Sequence, residues 1–381
     1  MKQSTDRILT THVGSLPRPE HLLTIIRARH AGESYDTQAL AETLKRAVAD
    51  IVKQQVDCGI DVVSDGELSK ISYATYVQER MTGFGGSWKG PAASDMLEFR
   101  DFAVMAIKTG RLTPIGNQPC CQGPVALKNT DELEADLANF QAAVAATRPV
   151  QGFMNAASPG VVAVFLDNQH YPSHEAYLDA LAQALRVEYE AITKAGFILQ
   201  IDSPDLAMGR HIRYADESLA DFRKRAALHI EVLNHATANI PPEQMRLHLC
   251  WGNYTGPHHH DVPLEDILDI VLQARPQALS FEGANPRHEH EWDVWATARI
   301  PEDKVLLPGV VDSTSNFIEH PRLVAQRIRN YADIVGRERV LASSDCGFST
   351  FAGYPQVHQD ITWAKFKALA EGARIASQQL W

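Results

Sequence analysis

No stretch of about 18 apolar residues occurs in this chain, so no helix in it is expected to cross a membrane. The opening residues, MKQSTDRILTTHVGS, carry neither an apolar run nor a cleavage-site pattern of the kind a secretory leader needs. Cysteine is sparse: Cys58, Cys120, Cys121, Cys250 and Cys346 are the five present among 381 residues. An odd, scattered set is no disulfide framework. A reducing cytoplasm suits it, and there cysteines serve more often as metal ligands or catalysts than as cross-links. Positive charge is in deficit, 36 Lys and Arg against 47 Asp and Glu, for a formal net charge of −11. That balance repels nucleic acid and anionic lipid, so neither is expected as a partner. The G-x-G-x-x-G fingerprint of a dinucleotide-binding sheet is also missing.

What is present is an alternation of short apolar runs with longer segments of helical period. The runs are Ile8–Val13, Asp61–Ser64, Val150–Asn155, Phe197–Ile201, Arg246–Cys250, Ala278–Phe281, Lys304–Gly309 and Arg339–Ser343. Each stops at a polar or Gly/Pro cluster, as parallel strands buried on both faces do. Between them, Thr37–Asp57, Ser173–Ala195, Asp216–Ala238, Pro263–Gln273, Pro321–Val335 and Val357–Ala376 predict helices, with Ser173 and Asp216 as N-caps. Eight strands, each followed by helix, predict a single (β/α)₈ (TIM) barrel over residues 1–381. Roughly 85 residues separate the second and third strands, too many for one crossover helix. Residues 83–123 are therefore expected to form an inserted hairpin or subdomain at the barrel mouth.

In such a barrel, chemistry sits at the C-terminal ends of the strands. Those ends carry His12-Val-Gly-Ser15, Ser64-Asp-Gly-Glu67, Asp202-Ser-Pro-Asp205, His248-Leu-Cys250, Glu282, Asp312-Ser-Thr-Ser and Asp345-Cys-Gly347. His248 and Cys250 are an H-x-C pair, and residues i and i+2 of a strand point to one side. Glu282 and Cys346 join them only if the barrel closes. Imidazole, thiolate and carboxylate all bind zinc, and two sulfurs with one nitrogen favour it over magnesium or calcium. A buried histidine beside a small apolar cysteine is the plainer alternative for the pair alone.

With those residues in view, the chain resembles the C-terminal catalytic half of cobalamin-independent methionine synthase. The matching segments are Thr11-His-Val-Gly-Ser15, Asp65-Gly-Glu67, Ile201-Asp202, His248-Leu-Cys250, Glu282 and Ser344-Asp-Cys-Gly347. Their order and spacing are specific together, though none is alone. The resemblance implies a zinc ion held by His248, Cys250, Cys346 and Glu282, with Glu282 the ligand a substrate sulfur displaces. It implies a homocysteine pocket built on Gly14, Ser15, Glu67 and Asp202. The implied activity is methyl transfer to a thiol, from a small-molecule methyl or alkyl donor.

The donor side departs from the family. This chain has one barrel where the family has two. Phe165 stands where the family stacks its folate on tryptophan, and Thr314 stands where it has a catalytic histidine. The general acid or base is therefore open, with Asp312, His258 and His259 as candidates. Shorter relatives of the family include epoxyalkane:coenzyme M transferases, so addition of an activated thiol to an epoxide is the alternative. A non-catalytic thiol- or zinc-binding protein is a lesser one. Glu67 and Asp202, both suited to an ammonium group, favour an amino-acid thiol. The run His258-His259-His260 is expected on a mouth loop, without a metal site of its own because successive residues diverge. Cys120 and Cys121 read as structural and Cys58 as core. Barrels often dimerise, but no interface is readable, so homo-oligomerisation stays open.

Overall fold

The structure, a computed structural model, describes residues 1–110, 112 and 116–381. Residues 111 and 113–115, part of the expected insertion, lie outside the described residues. The strands are β1 (Leu9–Thr10), β2 (Val62–Val63), β3 (Phe84–Lys89), β4 (Asn117–Cys121), β5 (Gln151–Ala157), β6 (Ile198–Asp202), β7 (Met245–His248), β8 (Ala278–Phe281), β9 (Val305–Val311) and β10 (Leu341–Ser344). Eight of them form one parallel sheet in the order β1-β10-β9-β8-β7-β6-β5-β2. The two ends of that order meet, because Asp61 N, at the start of β2, donates to Thr10 O at 3.1 Å. The result is a (β/α)₈ barrel in which each strand neighbours the next along the chain.

Helices take up the space between strands where the sequence supplies a cap and an apolar stripe. Thr37–Asp57 starts at Asp36, whose side chain accepts from Gln38 N and Ala39 N, and buries Leu40, Leu44, Val48, Ile51 and Val52. Ser173 caps His174–Lys194 by accepting from Ala176 N. The expected cap at Asp216 is corrected: Ser218 caps a helix running Leu219–Ala236, accepting from Asp221 N. The helix expected over Pro263–Gln273 is also corrected. It breaks into a 3₁₀ turn, Leu264–Asp266, and a short α-helix, Leu268–Val271. Ile267 leaves helical geometry at φ −129°, and Arg223 engages the Asp266 carbonyl that a continuous helix would need.

Between β2 and β5 the described residues form an antiparallel hairpin, β3 with β4, and three short helices, Val77–Arg80, Ser94–Glu98 and Arg100–Lys108. The crossover helix Asp131–Thr147 then packs on Thr37–Asp57.

The barrel interior is layered. Leu9, Val62, Phe153, Ile198, Ala278, Val305, Leu307 and Leu341 form a cluster separate from the main core. They come from seven strands, and only the inside of a closed barrel brings those together. Above this dry plug lies a polar layer centred on Arg246. Its guanidinium donates to Gln200 Oε1 (2.6 Å), Thr11 Oγ1 (3.0 Å) and His12 O (2.7 Å), and its Cζ stacks 3.3 Å from the Phe153 ring centroid. The site is built on that layer. No described helix is long and apolar enough to cross a membrane.

Candidate active site and metal centre

His248 is the last residue of β7, and the regular strand stops there, two residues short of the expected end. Leu249 N still donates to Ser280 O at 2.8 Å, so the extended course continues and Cys250 turns to the same side as His248. Cys346 arrives just after β10. Its Sγ lies 3.7 Å from that of Cys250, and the two sulfurs and a His248 ring nitrogen all fall within 4.8 Å of one another.

Both ring nitrogens of His248 are buried without a hydrogen-bond partner. Burial, with Arg246 below it, drives the His248 pKa down to about 3, so the ring is neutral and offers a lone pair. An unsatisfied buried imidazole is costly in isolation. Facing two buried thiols, it completes a donor set that fits a soft or borderline divalent metal ion.

Glu282 is close but set apart. Its carboxylate accepts from Trp251 N (2.8 Å) and Asn285 Nδ2 (2.7 Å), while also bearing on the Cys250 thiol. Burial and the neighbouring Cys250 push its pKa well above the usual carboxylate range. The turn that carries it is held by Asp345, which accepts from Gly283 N (2.9 Å), Ala284 N (2.8 Å) and Asn285 N (2.8 Å). Asp345 thus fixes Glu282 while sitting next to Cys346, a positioning role that its place in the motif did not reveal.

The second cluster lies beside the first. Gly14 has φ +135°, and a Cβ there would meet Asn155 Oδ1 at 2.3 Å, so only glycine allows the β1 turn to pack on Asn155. Asn155 Nδ2 donates to Asp202 Oδ2 (2.9 Å), and Gln200 Nε2 donates to Asp202 Oδ1 (2.7 Å). Glu67, also at positive φ, has a buried Oε2 with no partner. Burial, then the nearby Asp202, raises the Glu67 pKa to about 8; burial raises that of Asp202 to about 6. Two buried carboxyl groups without a salt-bridge partner at the end of a cavity leave room for a small cation, whose arrival would favour the ionised form of both.

That cavity measures about 500 Å³. Ser15, Glu67, Asp202, His248, Cys250 and Cys346 form its inner end, and Phe165 lines it further out. Its outer wall is apolar and comes largely from the helices Ser94–Glu98 and Arg100–Lys108, through Met96, Leu97, Val104 and Ile107. The other sequence candidates stand away from it. Asp312 is buried, with Oδ1 accepting from Thr314 N and Oγ1, both at 2.8 Å. His258 is held by Asp261 Oδ2 (2.8 Å) and Tyr254 O (3.0 Å), and His259 by Glu98. None of these three, nor Thr314, lines the cavity.

Tyr73 is among the cavity residues that the sequence reading missed. Tyr73 stands edge-on between Phe165 (6.0 Å) and Phe351 (5.9 Å). Its segment is tied to the β10 loop by Ala352 N to Ile71 O, 2.9 Å. No pattern in the sequence signals that tie.

Comparison with known proteins gives the family and the fold. Residues 117–365 match the model of the family described as cobalamin-independent synthase, catalytic domain. A methionine synthase of Saccharolobus islandicus is 25% identical over 377 residues, covering 97% of this chain and 95% of that protein. One from Thermococcus kodakarensis is 23% identical over 382 residues, covering 97% and 94%. Among solved structures, a B12-independent methionine synthase from Shewanella sp. W3-18-1, in complex with selenomethionine, superposes with a TM-score of 0.72 at 19% identity, covering 98% of this chain and 99% of that one. The putative vitamin-B12-independent methionine synthase of Listeria monocytogenes gives 0.66 at 16% identity, covering 98% and 99%. The match over residues 117–365 takes in β4 to β10 together with His248, Cys250 and Cys346, and the chain belongs to the cobalamin-independent synthase catalytic-domain family.

Proposed function

We propose that this chain transfers a methyl group to the sulfur of homocysteine or a closely similar amino-acid thiol, with one zinc ion held by His248, Cys250, Cys346 and Glu282. The observation that carries the reading is the meeting of His248, Cys250 and Cys346 within 4.8 Å, in the same cavity as the buried carboxyl groups of Glu67 and Asp202. When bound, zinc supplies the positive charge that keeps a thiol deprotonated at neutral pH.

The protein's own residues do the rest. Glu67 and Asp202 hold the ammonium group of the thiol substrate, and Asn155 and Gln200 fix the Asp202 carboxylate for that task. Ser15 and the backbone beside it receive the carboxylate. Glu282, anchored to Trp251 N and Asn285 Nδ2, would be the ligand able to give way to a substrate sulfur while keeping those hydrogen bonds. The methyl donor enters from the apolar side past Phe165, and the roof formed by Met96, Leu97, Val104 and Ile107 excludes water. A sulfur–carbon bond forms as the donor's bond to methyl breaks; the donor leaves with that bonding pair, and the proton given up by the thiol is balanced by one the departing donor takes from solvent. In this reading residues 1–381 are one catalytic unit, and the segment 83–123 serves as its roof. The five cysteines, all unpaired, suit a reducing compartment such as the cytoplasm.

Substituting Cys250 or Cys346 with Ser should remove the ion held by that cluster and all methyl transfer, measured by elemental analysis and by product formation. A metal-free preparation that turns over normally would end the proposal. Homocysteine and coenzyme M, each offered with methyl-folate and with an epoxide, separate the readings. Turnover with the epoxide and with no methyl donor would put thiol addition first.

A further inference from the structure

The histidine run after β7 meets the insertion at a single carboxylate. The sequence expectation that successive histidines diverge is corrected here. His258 sits at φ +56°, and Asp261 N bonds back to His258 O at 3.3 Å. The chain therefore turns sharply at 259–260, and both rings swing to the helix Ser94–Glu98. His259 Nε2 lies 2.9 Å from Glu98 Oε2, and His260 Nε2 lies 2.7 Å from Glu98 Oε1.

We propose that Glu98, His259 and His260 form a second divalent-metal site, of the zinc class, that fastens the insertion to the mouth loop. Their ligand atoms all lie within 4.8 Å of one another. Two imidazoles and a carboxylate are an accepted zinc donor set. Bonds of about 2.0–2.2 Å would separate the ligand atoms of a tetrahedral site by about 3.3 Å. The observed 2.7 and 2.9 Å contacts reach that with movements of about half an ångström.

The support behind the ligands is also in place. His260 Nδ1 lies 2.8 Å from Ser94 Oγ, the kind of outer contact that orients a ligating ring. Asp95, on the same helix, accepts from Tyr254 OH (2.7 Å) and His258 N (2.8 Å). The helix is thus docked on this loop before any ion arrives, and little ordering remains to oppose binding. Three protein ligands, each about a third to a half exposed, leave the remaining positions to water. This site shares no residue with the His248 cluster and contains no sulfur.

The consequence is mechanical. The same helix and the next, Arg100–Lys108, provide Met96, Leu97, Val104 and Ile107 to the cavity wall. An ion on Glu98, His259 and His260 holds that roof shut over the donor half of the cavity.

The test uses the full chain and zinc alone. Dialysed against zinc at neutral pH, the C250S/C346S variant should retain one ion per chain. Adding H259A/H260A should weaken that retention by at least a hundredfold, and Ser94→Ala by about ten- to a hundredfold. Amide exchange across residues 94–108 should slow with zinc in C250S/C346S and not when H259A/H260A is added. Retention of no zinc by C250S/C346S, or retention unaffected by H259A/H260A, overturns the proposal. Should C250S/C346S not fold, the wild type should bind two ions and H259A/H260A one; equal numbers would overturn it as well. Cobalt(II) separates this site from the first, since only the His248 cluster can give a sulfur-to-metal absorption band. Loss of that band tells against the catalytic reading and leaves this one standing.

Discussion

Replacing Glu67 with Gln should make the ligand-free protein more stable and a worse binder of its substrate. Glu67 is 2% exposed, and its Oε2 has no partner. Burial and Asp202 raise its pKa from the ordinary 4.5 to about 8. The native state therefore keeps a proton that the unfolded chain releases, and stability falls as pH rises from 4.5 through 8. At pH 7 the penalty is of the order of 3 kcal/mol, and at pH 5 it is below about 1 kcal/mol. Glutamine has the shape of the protonated acid and escapes it. With an unfolding entropy near 2 cal/mol/K per residue, Glu67→Gln should raise Tm by about 4 °C at pH 7 and by about 1 °C or less at pH 5. The same change removes a charged hydrogen bond to the substrate ammonium, of about 1.5–3 kcal/mol. KM for the amino-acid thiol should then rise roughly ten- to a hundredfold. In the wild type, thiol affinity should improve as pH climbs toward 8, because the proton on Glu67 competes with the ammonium group. Thermal melts at both pH values, with KM measured beside them, decide the matter. A Tm gap that is the same at pH 5 and pH 7 would refute the electrostatic argument, and an unchanged KM would remove Glu67 from the substrate site.

Three further outcomes are expected. Gly14→Ala drives a Cβ against Asn155 Oδ1 at positive φ, so denaturant unfolding should show a loss of about 2–4 kcal/mol, with thiol affinity falling because Asn155 also positions Asp202. Asp345→Ala leaves the backbone N–H groups of Gly283, Ala284 and Asn285 without their acceptor; metal affinity at limiting zinc should fall about ten- to a hundredfold, while far-UV circular dichroism stays close to wild type. Cys120→Ser with Cys121→Ser should leave bound metal and turnover unchanged, since Cys120 Sγ bonds Gly85 O and Cys121 Sγ bonds Gly123 O within the hairpin region.

The parts of the molecule that were legible in the sequence are those governed by local rules. Ala278–Phe281 is a short apolar run between polar clusters and is a strand over those same residues. Thr37–Asp57 has its stripe and its cap and is a helix with those same bounds. His248 and Cys250 share a side because extended backbone alternates, a rule that outlasts the formal end of β7. What escaped depends on the chain meeting itself. Ile267 breaks a helix partly because Arg223, far along the chain, takes a carbonyl. Tyr73 reaches the cavity because its loop is bonded to the one after β10. His259 and His260 converge because one residue, His258, adopts a left-handed backbone that its neighbours in sequence do not announce.

The Arg246 layer divides the barrel into two compartments with different tolerances. Below it, Leu9, Val62, Phe153, Ile198 and their partners answer only to volume and fit; above it, Glu67, Asp202, His248 and the two cysteines answer to charge and proton count. A guanidinium on β7 tied to β6 through Gln200 and to the end of β1 through Thr11 and His12 acts as a bulkhead between them. Substitutions in the plug should therefore alter melting behaviour without altering substrate choice. The upper rim is free to acquire new donors or thiols without endangering the closure of the barrel. Arg246 itself belongs to both compartments, which makes it the position where stability and chemistry cannot be varied separately.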